Sequence, residues 1–470
     1  MPLTVLFYVL AILLSLAVFA KVRSRTVRQG VLLAASYAVY LSWGAWFAAV
    51  LFTSTVVNFF IGAGLRRKRS GSILFVGILF NLALLASFKY LPEIALAAPL
   101  SSLQNFAHLA LPLGISFWTF QAMSYLFDVY QGEQIDPTFF EFALYMVFFP
   151  VTISGPVCRM PEMLPQFRSE NAIRWDDIGR GLARIATGFL MMQLARLLGQ
   201  GILAGDGINS GFDHATRWSG TDAWCLAFGY GLQLFFDFAG YSHIAIGAAK
   251  MLGFTLPENF ARPFASTSPS IFWTRWHMSL SFWIRDYVFF PLMQLRREAW
   301  WRNLALVIAM VLFGLWHKAA LLFLIWGCYH GVLLVLHRQV EGLERRFDWT
   351  PPALWTPLSW ITTISVVSLG WIFFRANSLA EAGQMLSAVI SPSSYSLHFL
   401  SGSLYGLILA LAAGYALVML LGDALERSTA LFSRTLWYWM PPLYVLLLLV
   451  ILVITRSQSV SAAQFMYRRF

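Results

Sequence analysis

Charge is what this sequence has least of. Of its 470 residues only 12% are charged, while 59% are hydrophobic and 16% aromatic. Soluble chains are about a quarter charged, so half that level leaves too little polar surface for a water-soluble globule. Cysteine is almost as scarce. Cys158, Cys225 and Cys328 are odd in number, lie in or beside apolar runs and show no CxxC spacing. That pattern excludes a disulfide framework and a thiolate zinc site, and leaves them as packing residues. Familiar catalytic signatures are missing too: there is no HExxH, no GxSxG or GxGxxG in a strand–turn–helix context, and no P-loop. A zincin, a serine hydrolase and a nucleotide-binding enzyme therefore lack their chemistry. Gly205-Asp206-Gly207 is a turn signal without a nucleophile. No internal repeat, low-complexity tract or heptad array is visible, and the polar stretches are too short for an independent soluble core.

What the chain has instead is long apolar runs. Residues 3–20, 31–65, 73–88, 183–203, 304–316, 321–336 and 443–454 carry few or no charges. A membrane span needs roughly 20 apolar residues, so the longer runs cross alone and the shorter ones need flanking help. Lys21, Arg23, Arg25 and Arg28 follow the first run instead of preceding it, which reads as a retained helix and not a cleaved signal peptide. The formal charge of +11 (33 basic minus 22 acidic) sits in short segments between apolar runs. It therefore reports the positive-inside rule and no nucleic-acid partner. The fold class expected is an all-α polytopic membrane protein, a single domain over residues 1–470.

The basic clusters at 21–28 and 66–69 flank one apolar run. If both are cytoplasmic, that run crosses an even number of times. Ser42-Trp43-Gly44-Ala45-Trp46 supplies the turn, with interfacial tryptophans and a helix-weakening glycine. Two helices of about 17 residues, each roughly 25 Å long, then form a hairpin. Further on, Pro112 and Gly114 interrupt residues 109–130, and the run 139–150 ends in a Pro/Gly segment at 151–156. Broken helices at membrane depth survive only inside protein or beside a wet cavity. Residues 159–177 and 257–302 mix aromatics with charge, and are expected to form short interfacial or re-entrant helices.

Two of the eight histidines stand out by position. His317 lies between two strongly apolar runs, and His277 just before Arg285-Asp286. An ionisable group at membrane depth is by default a functional candidate, although a histidine hydrogen-bonded in a bundle is the plainer reading. His330 and His337 are seven apart, about 10 Å along a helix, too far to share a metal ion. They read as polar contacts near a helix end. Asp237, Tyr241, His243 and Lys250 share another apolar segment, where structural pairing is the simpler role for Asp237, Tyr241 and Lys250. Broken helices with buried charge also suit a transporter.

Nine motifs in order carry a resemblance. They are Leu111-Pro-Leu-Gly-Ile-Ser-Phe-Trp-Thr-Phe-Gln121, Asp128-Val-Tyr-Gln-Gly132, Phe148-Phe-Pro150 with Gly155-Pro156, Leu164-Pro-Gln-Phe167 and the segment 237–247. Pro257-Glu-Asn-Phe260, the segment 275–286, Gly314-Leu-Trp-His317 and Trp371-Ile-Phe-Phe-Arg375 complete the set. At these positions, from about residue 3 to 382, the sequence resembles the membrane-bound O-acyltransferase (MBOAT) family, in its bacterial alginate O-acetyltransferase-like branch, with a best-matched core of about 111–337. Lys318, where the family commonly has glycine, and His243, where it commonly has an acid, depart from the pattern.

The resemblance implies a ring of tilted helices around a thin centre, with a cytoplasmic opening for the acyl donor and an outer funnel for the acceptor. It makes His317 the essential catalytic residue and His277 the second histidine of the site. Arg275, Trp276, Trp316, Lys318, Asp237 and Tyr241 are the expected substrate-binding residues. Acetyl-CoA is the implied donor, with no permanently bound cofactor and no metal. Acyl transfer needs a hydroxyl deprotonated as it attacks a thioester, and neutral imidazole suits that near pH 7. His277, Arg275 or a backbone N–H would stabilise the oxyanion. The function expected is acetyl transfer across a bacterial inner membrane onto an extracytoplasmic polysaccharide, as part of a polysaccharide biosynthesis machinery. D-alanyl transfer to a cell-wall polymer carrier is the nearest alternative. Without a relay nucleophile of its own, the chain should work with an extracytoplasmic protein that receives or delivers the acetyl group.

Overall fold

A computed structural model describes residues 3–427, apart from 93–94, 96–109, 153–154, 170–172, 203–204, 214–216, 349–351, 353–354 and 397. The apolar run at 443–454 lies outside the described residues. Among the described residues every regular element is helical, and six helices are long and apolar enough to cross a membrane. The chain is an all-α, multi-pass membrane protein that sits in the lipid bilayer. It divides into two compact units, residues 1–185 with 242–258, and residues 186–241 with 259–470.

The first unit starts with α1 (Leu3–Lys21), α2 (Arg25–Leu41), α3 (Ala45–Arg67) and α4 (Gly71–Lys89). The turn expected at Ser42–Trp46 is there. Gly44 carries it at φ 147°, a conformation open to glycine, while the Trp43 and Gly44 amides donate to the carbonyls of Tyr40 and Leu41. The hairpin is less even than expected: α2 has 17 residues, but α3 has 23 and runs on through Arg66 and Arg67. Basic residues in a last helical turn face the negative end of the helix dipole, so the cluster extends α3 instead of ending it. Asn58 on α3 and Asn81 on α4 exchange side-chain hydrogen bonds of 2.6 and 3.2 Å, a polar tie between two apolar helices. The opposite stripe of α4, with Phe75, Val76, Leu79 and Leu82, stays exposed as a lipid-facing surface should.

Gly114, in the left-handed region at φ 71°, starts α5 (Ile115–Gln131), so the break anticipated at Pro112 and Gly114 is a helix boundary. Then come α6 (Phe139–Val147) and α7 (Met160–Arg168). Thr138 and Glu141 form a reciprocal capping box at the start of α6. Glu141 is buried, yet it holds Arg25 at 2.5 Å and Arg168 at 2.9 Å, fastening the ends of three helices to one carboxylate. α8 (Trp175–Gln200) and α10 (Gly220–Met251) each have residues in both units. Within the first unit Lys250 pairs with Asp177 at 2.9 Å, the structural role expected of that lysine.

The second unit includes α9 (Ile208–Asp213) and a broken stretch between residues 259 and 294. That stretch comprises α11 (Pro269–Trp273), α12 (Met278–Ile284), a π-helical turn (Arg285–Phe289) and α13 (Phe290–Gln294). The short helices anticipated for this region are present. After them come α14 (Ala299–His317), α15 (Leu321–Arg346), α16 (Trp355–Arg375), α17 (Leu379–Ile390) and α18 (Gly402–Arg427). Three glycines bring α14 and α15 together. A Cβ at Gly314 would lie 2.2 Å from the Phe323 carbonyl oxygen, one at Gly327 2.5 Å from that of Met310, and one at Gly331 2.9 Å from Val307 Cα. Small residues let helices meet backbone to backbone, the packing that replaces the hydrophobic effect in lipid. Tyr329 extends the assembly by donating to the Val366 carbonyl on α16 at 2.6 Å.

Candidate active site

His317 is the last residue of α14. The helix stops there: Lys318 is extended, its amide returns to the Gly314 carbonyl, and Ala320 opens α15. Because Gly314 clamps this turn against α15, the imidazole has a fixed origin. It is buried, stacked on Phe313 with ring centroids 5.4 Å apart and met edge-on by Phe374 at 5.0 Å and Trp326 at 5.8 Å.

His277 arrives from the broken stretch. Its backbone is left-handed, φ 44° and ψ 52°, which a non-glycine residue adopts at a cost of about 1–3 kcal/mol. Ties on either side hold it there. Ala261 donates to the Arg275 carbonyl at 3.0 Å and Met278 to the Asn259 carbonyl at 2.8 Å. The Ser279 hydroxyl donates to Asn259 Oδ1 at 2.6 Å. His277 is buried against Phe238, 4.5 Å away and edge-on, and its ring lies 6.4 Å from both Phe313 and Trp316. Strain of this kind clusters at functional sites.

Both histidines line one small cavity of about 10 Å³, room for a single water. Trp273, Trp276, Trp326 and Trp371, with Phe238, Phe313 and Phe374, form most of its wall. Of the expected substrate-binding residues, Trp276 is in that wall. Trp316 is buried beside both histidines, 4.6 Å from the ring of His317, but does not line the cavity. Arg275 does not reach it: its guanidinium donates to the Ala265 carbonyl at 3.2 Å. Lys318 is exposed at the C-cap, as a snorkelling lysine would be, and Asp237 and Tyr241 are half-buried on α10 away from the lining. Among the described residues no three His, Cys, Asp or Glu side chains are grouped to hold a metal ion.

One reading from the sequence needs correction. His330 is no helix-end contact: it lies midway along α15, fully buried, 4.9 Å from Trp326 and 5.2 Å from Trp273. Spacing along α15 puts Trp326 one turn before His330, but it could not reveal Trp273 and Gly370, which come from α11 and α16. His337 is no nearer a helix end, but it does make a polar contact, with Glu341 one turn on at 3.2 Å. The walls at Trp326 and Phe374 were also missed as site residues, although Trp371 and Phe374 stand in the Trp371–Arg375 motif.

Comparison with known proteins decides the class. Residues 60–374 match the model of MBOAT, the membrane-bound O-acyltransferase family. The chain belongs to that family. Among its relatives is the probable alginate O-acetylase AlgI of Pseudomonas syringae pv. tomato, 36% identical over 414 residues, covering 84% of this chain and 76% of that protein. The peptidoglycan O-acetyltransferase of Helicobacter pylori is 32% identical over 408 residues (79% and 75%). The teichoic acid D-alanyltransferase of Bacillus subtilis is 31% identical over 284 residues (56% and 69%). This membrane-bound O-acyltransferase is thus an enzyme, and the transporter alternative falls away.

Proposed function

We propose that this O-acyltransferase moves an acetyl group from a cytoplasmic thioester, acetyl-CoA, across a bacterial inner membrane for O-acetylation of an extracytoplasmic polysaccharide, through a partner protein. The observation that carries the reading is the meeting of His317 and His277 on one small, aromatic-walled cavity. On this reading a neutral His317 takes the proton of the acceptor hydroxyl as its oxygen attacks the thioester carbonyl. A tetrahedral oxyanion forms, and His277 is the sequence-expected stabiliser that faces the same space. The C–S bond then breaks and the proton passes from His317 to the departing thiolate. Dry aromatic walls strengthen each of these electrostatic interactions and keep water from taking the acyl group.

The relatives named for acetylation of alginate and peptidoglycan support an acetyl group and a polymer destination. The D-alanyltransferase relative supports D-alanyl as the second reading. A partner is invoked because a polymer is bulky compared with a cavity of about 10 Å³. The test is the purified protein in vesicles with acetyl-CoA inside and soluble polymer outside, with and without a candidate partner. Polymer acetylation that needs both proteins is the expected result. Full acetylation by this chain alone would refute the relay, and acyl transfer from D-alanyl but not acetyl donors would refute the choice of group.

A further inference from the structure

His330 takes no part in the reaction drawn above, yet it is more deeply buried than either site histidine. Neither of its ring nitrogens meets a hydrogen-bonding protein atom among the described residues. A buried polar ring without a hydrogen bond is costly, so the contacts around the ring are what it has to offer. What surrounds the ring is aromatic. Trp273 meets it at 5.2 Å and 88°, Tyr329 at 5.3 Å and 82°, and Trp326 at 4.9 Å and 64°. Near-perpendicular contacts of this kind are directional, because the positive edge of one ring seeks the negative face of the next. Helix α16 closes the remaining side: a Cβ at Gly370 would lie 2.5 Å from His330 Nε2, so the imidazole has no space to retreat.

Trp273 and Trp326 also wall the cavity that holds His317. Trp326 is in contact with both histidines, 5.8 Å from the ring of His317 and 4.9 Å from that of His330. We propose that His330 is a positioning residue which, wedged against Gly370, holds Trp326 and Trp273 edge-on and thereby disfavours longer acyl groups beside His317. The proposal deepens the acyl-transfer reading above and rests on it. It makes ring volume and shape the property that matters at 330, since no protein atom among the described residues bonds to the nitrogens.

The test compares wild type with His330→Ala, which removes the wedge, and His330→Met, which roughly conserves its volume. Membrane vesicles carrying the full chain and its native partners are given acetyl-, propionyl- or butyryl-CoA, and thiol release is read above vesicles lacking the chain. His330→Ala is expected to raise the butyryl-to-acetyl ratio by about tenfold, the discrimination that one or two methylenes carry in an apolar pocket. His330→Met should keep the wild-type ratio. In parallel, fluorotryptophan-labelled protein gives the fluorine resonance of Trp326, assigned by its loss in Trp326→Phe. That signal should shift or split in His330→Ala and stay in place in His330→Met.

An unchanged ratio with an unchanged Trp326 signal in His330→Ala overturns the proposal. So does an equal loss with every donor, or a methionine variant that behaves like alanine. A wild type that consumes none of the thioesters would refute the acetyl-CoA reading alone, and the fluorine signal would then decide the positioning role by itself.

Discussion

Gly314→Ala should disable this enzyme through a single methyl group. The ideal Cβ would sit 2.2 Å from the Phe323 carbonyl oxygen, 3.2 Å from its carbonyl carbon and 3.3 Å from the Gly327 nitrogen. All three are backbone atoms, so no side chain can rotate to make room. A carbon and a carbonyl oxygen settle at about 3.3–3.6 Å, so α14 and α15 must part by about 1 Å at this point. Overpacking of this kind costs about 1–3 kcal/mol, of which alanine's better helix propensity returns up to about 1. The loss of stability is therefore modest. Function suffers more, because His317, the proposed base, is in the next turn and a displacement of about 1 Å at a reacting group costs about a hundredfold in rate. The assay pairs the melting temperature of the solubilised protein with acyl transfer normalised to protein in the membrane. The control is Gly342→Ala on the same α15, where nothing lies within 4 Å of the added methyl. Wild-type transfer by Gly314→Ala would refute the claim that backbone contact between α14 and α15 fixes the catalytic turn.

His277→Ala should lower kcat by about 10²–10³-fold with little change in KM, as loss of an oxyanion donor does. His277→Gly suits the left-handed backbone better and should melt above His277→Ala while losing transfer equally, which separates strain from chemistry. At Glu141, burial pushes the carboxyl up, but hydrogen bonds from Arg168 and Thr138 pull it further down, to about 2 from an ordinary 4.5. A depressed folded value contributes stability above the unfolded one and loses it as pH falls from 4.5 towards 2. The melting difference between wild type and Glu141→Gln should therefore shrink across that window, and a constant difference would deny the ion cluster its role. Single cysteines near Trp43 in a cysteine-free background should react with an impermeant reagent from outside; labelling only from inside would overturn the assigned orientation.

Much of this arrangement is written locally and is legible in the chain. Gly44 and Gly114 mark turns because their backbone angles exclude most other residues, and the mixture of charge and aromatics after residue 257 foretells the broken stretch. His317 stands out because an ionisable side chain between two apolar runs is expensive. What stays hidden depends on pairing across long stretches of sequence. Arg275 looks like a substrate ligand until the fold gives its guanidinium the Ala265 carbonyl. Nothing in the sequence marks Glu141, on which Arg25 and Arg168 converge. His330 looks peripheral for the same reason, since Trp273 and Gly370 reach it from α11 and α16.

The central claim is that His317 is the base of an acyl transfer that ends on an exported polysaccharide. It is tested most directly by the O-acetyl content of that polymer from cells carrying wild-type protein, no protein, or His317→Ala inserted at equal level and melting as wild type does. The account expects acetylation with wild type and, with His317→Ala, a fall of at least about 10²-fold to the level of cells lacking the protein. Near-wild-type acetylation by the folded His317→Ala variant would contradict it.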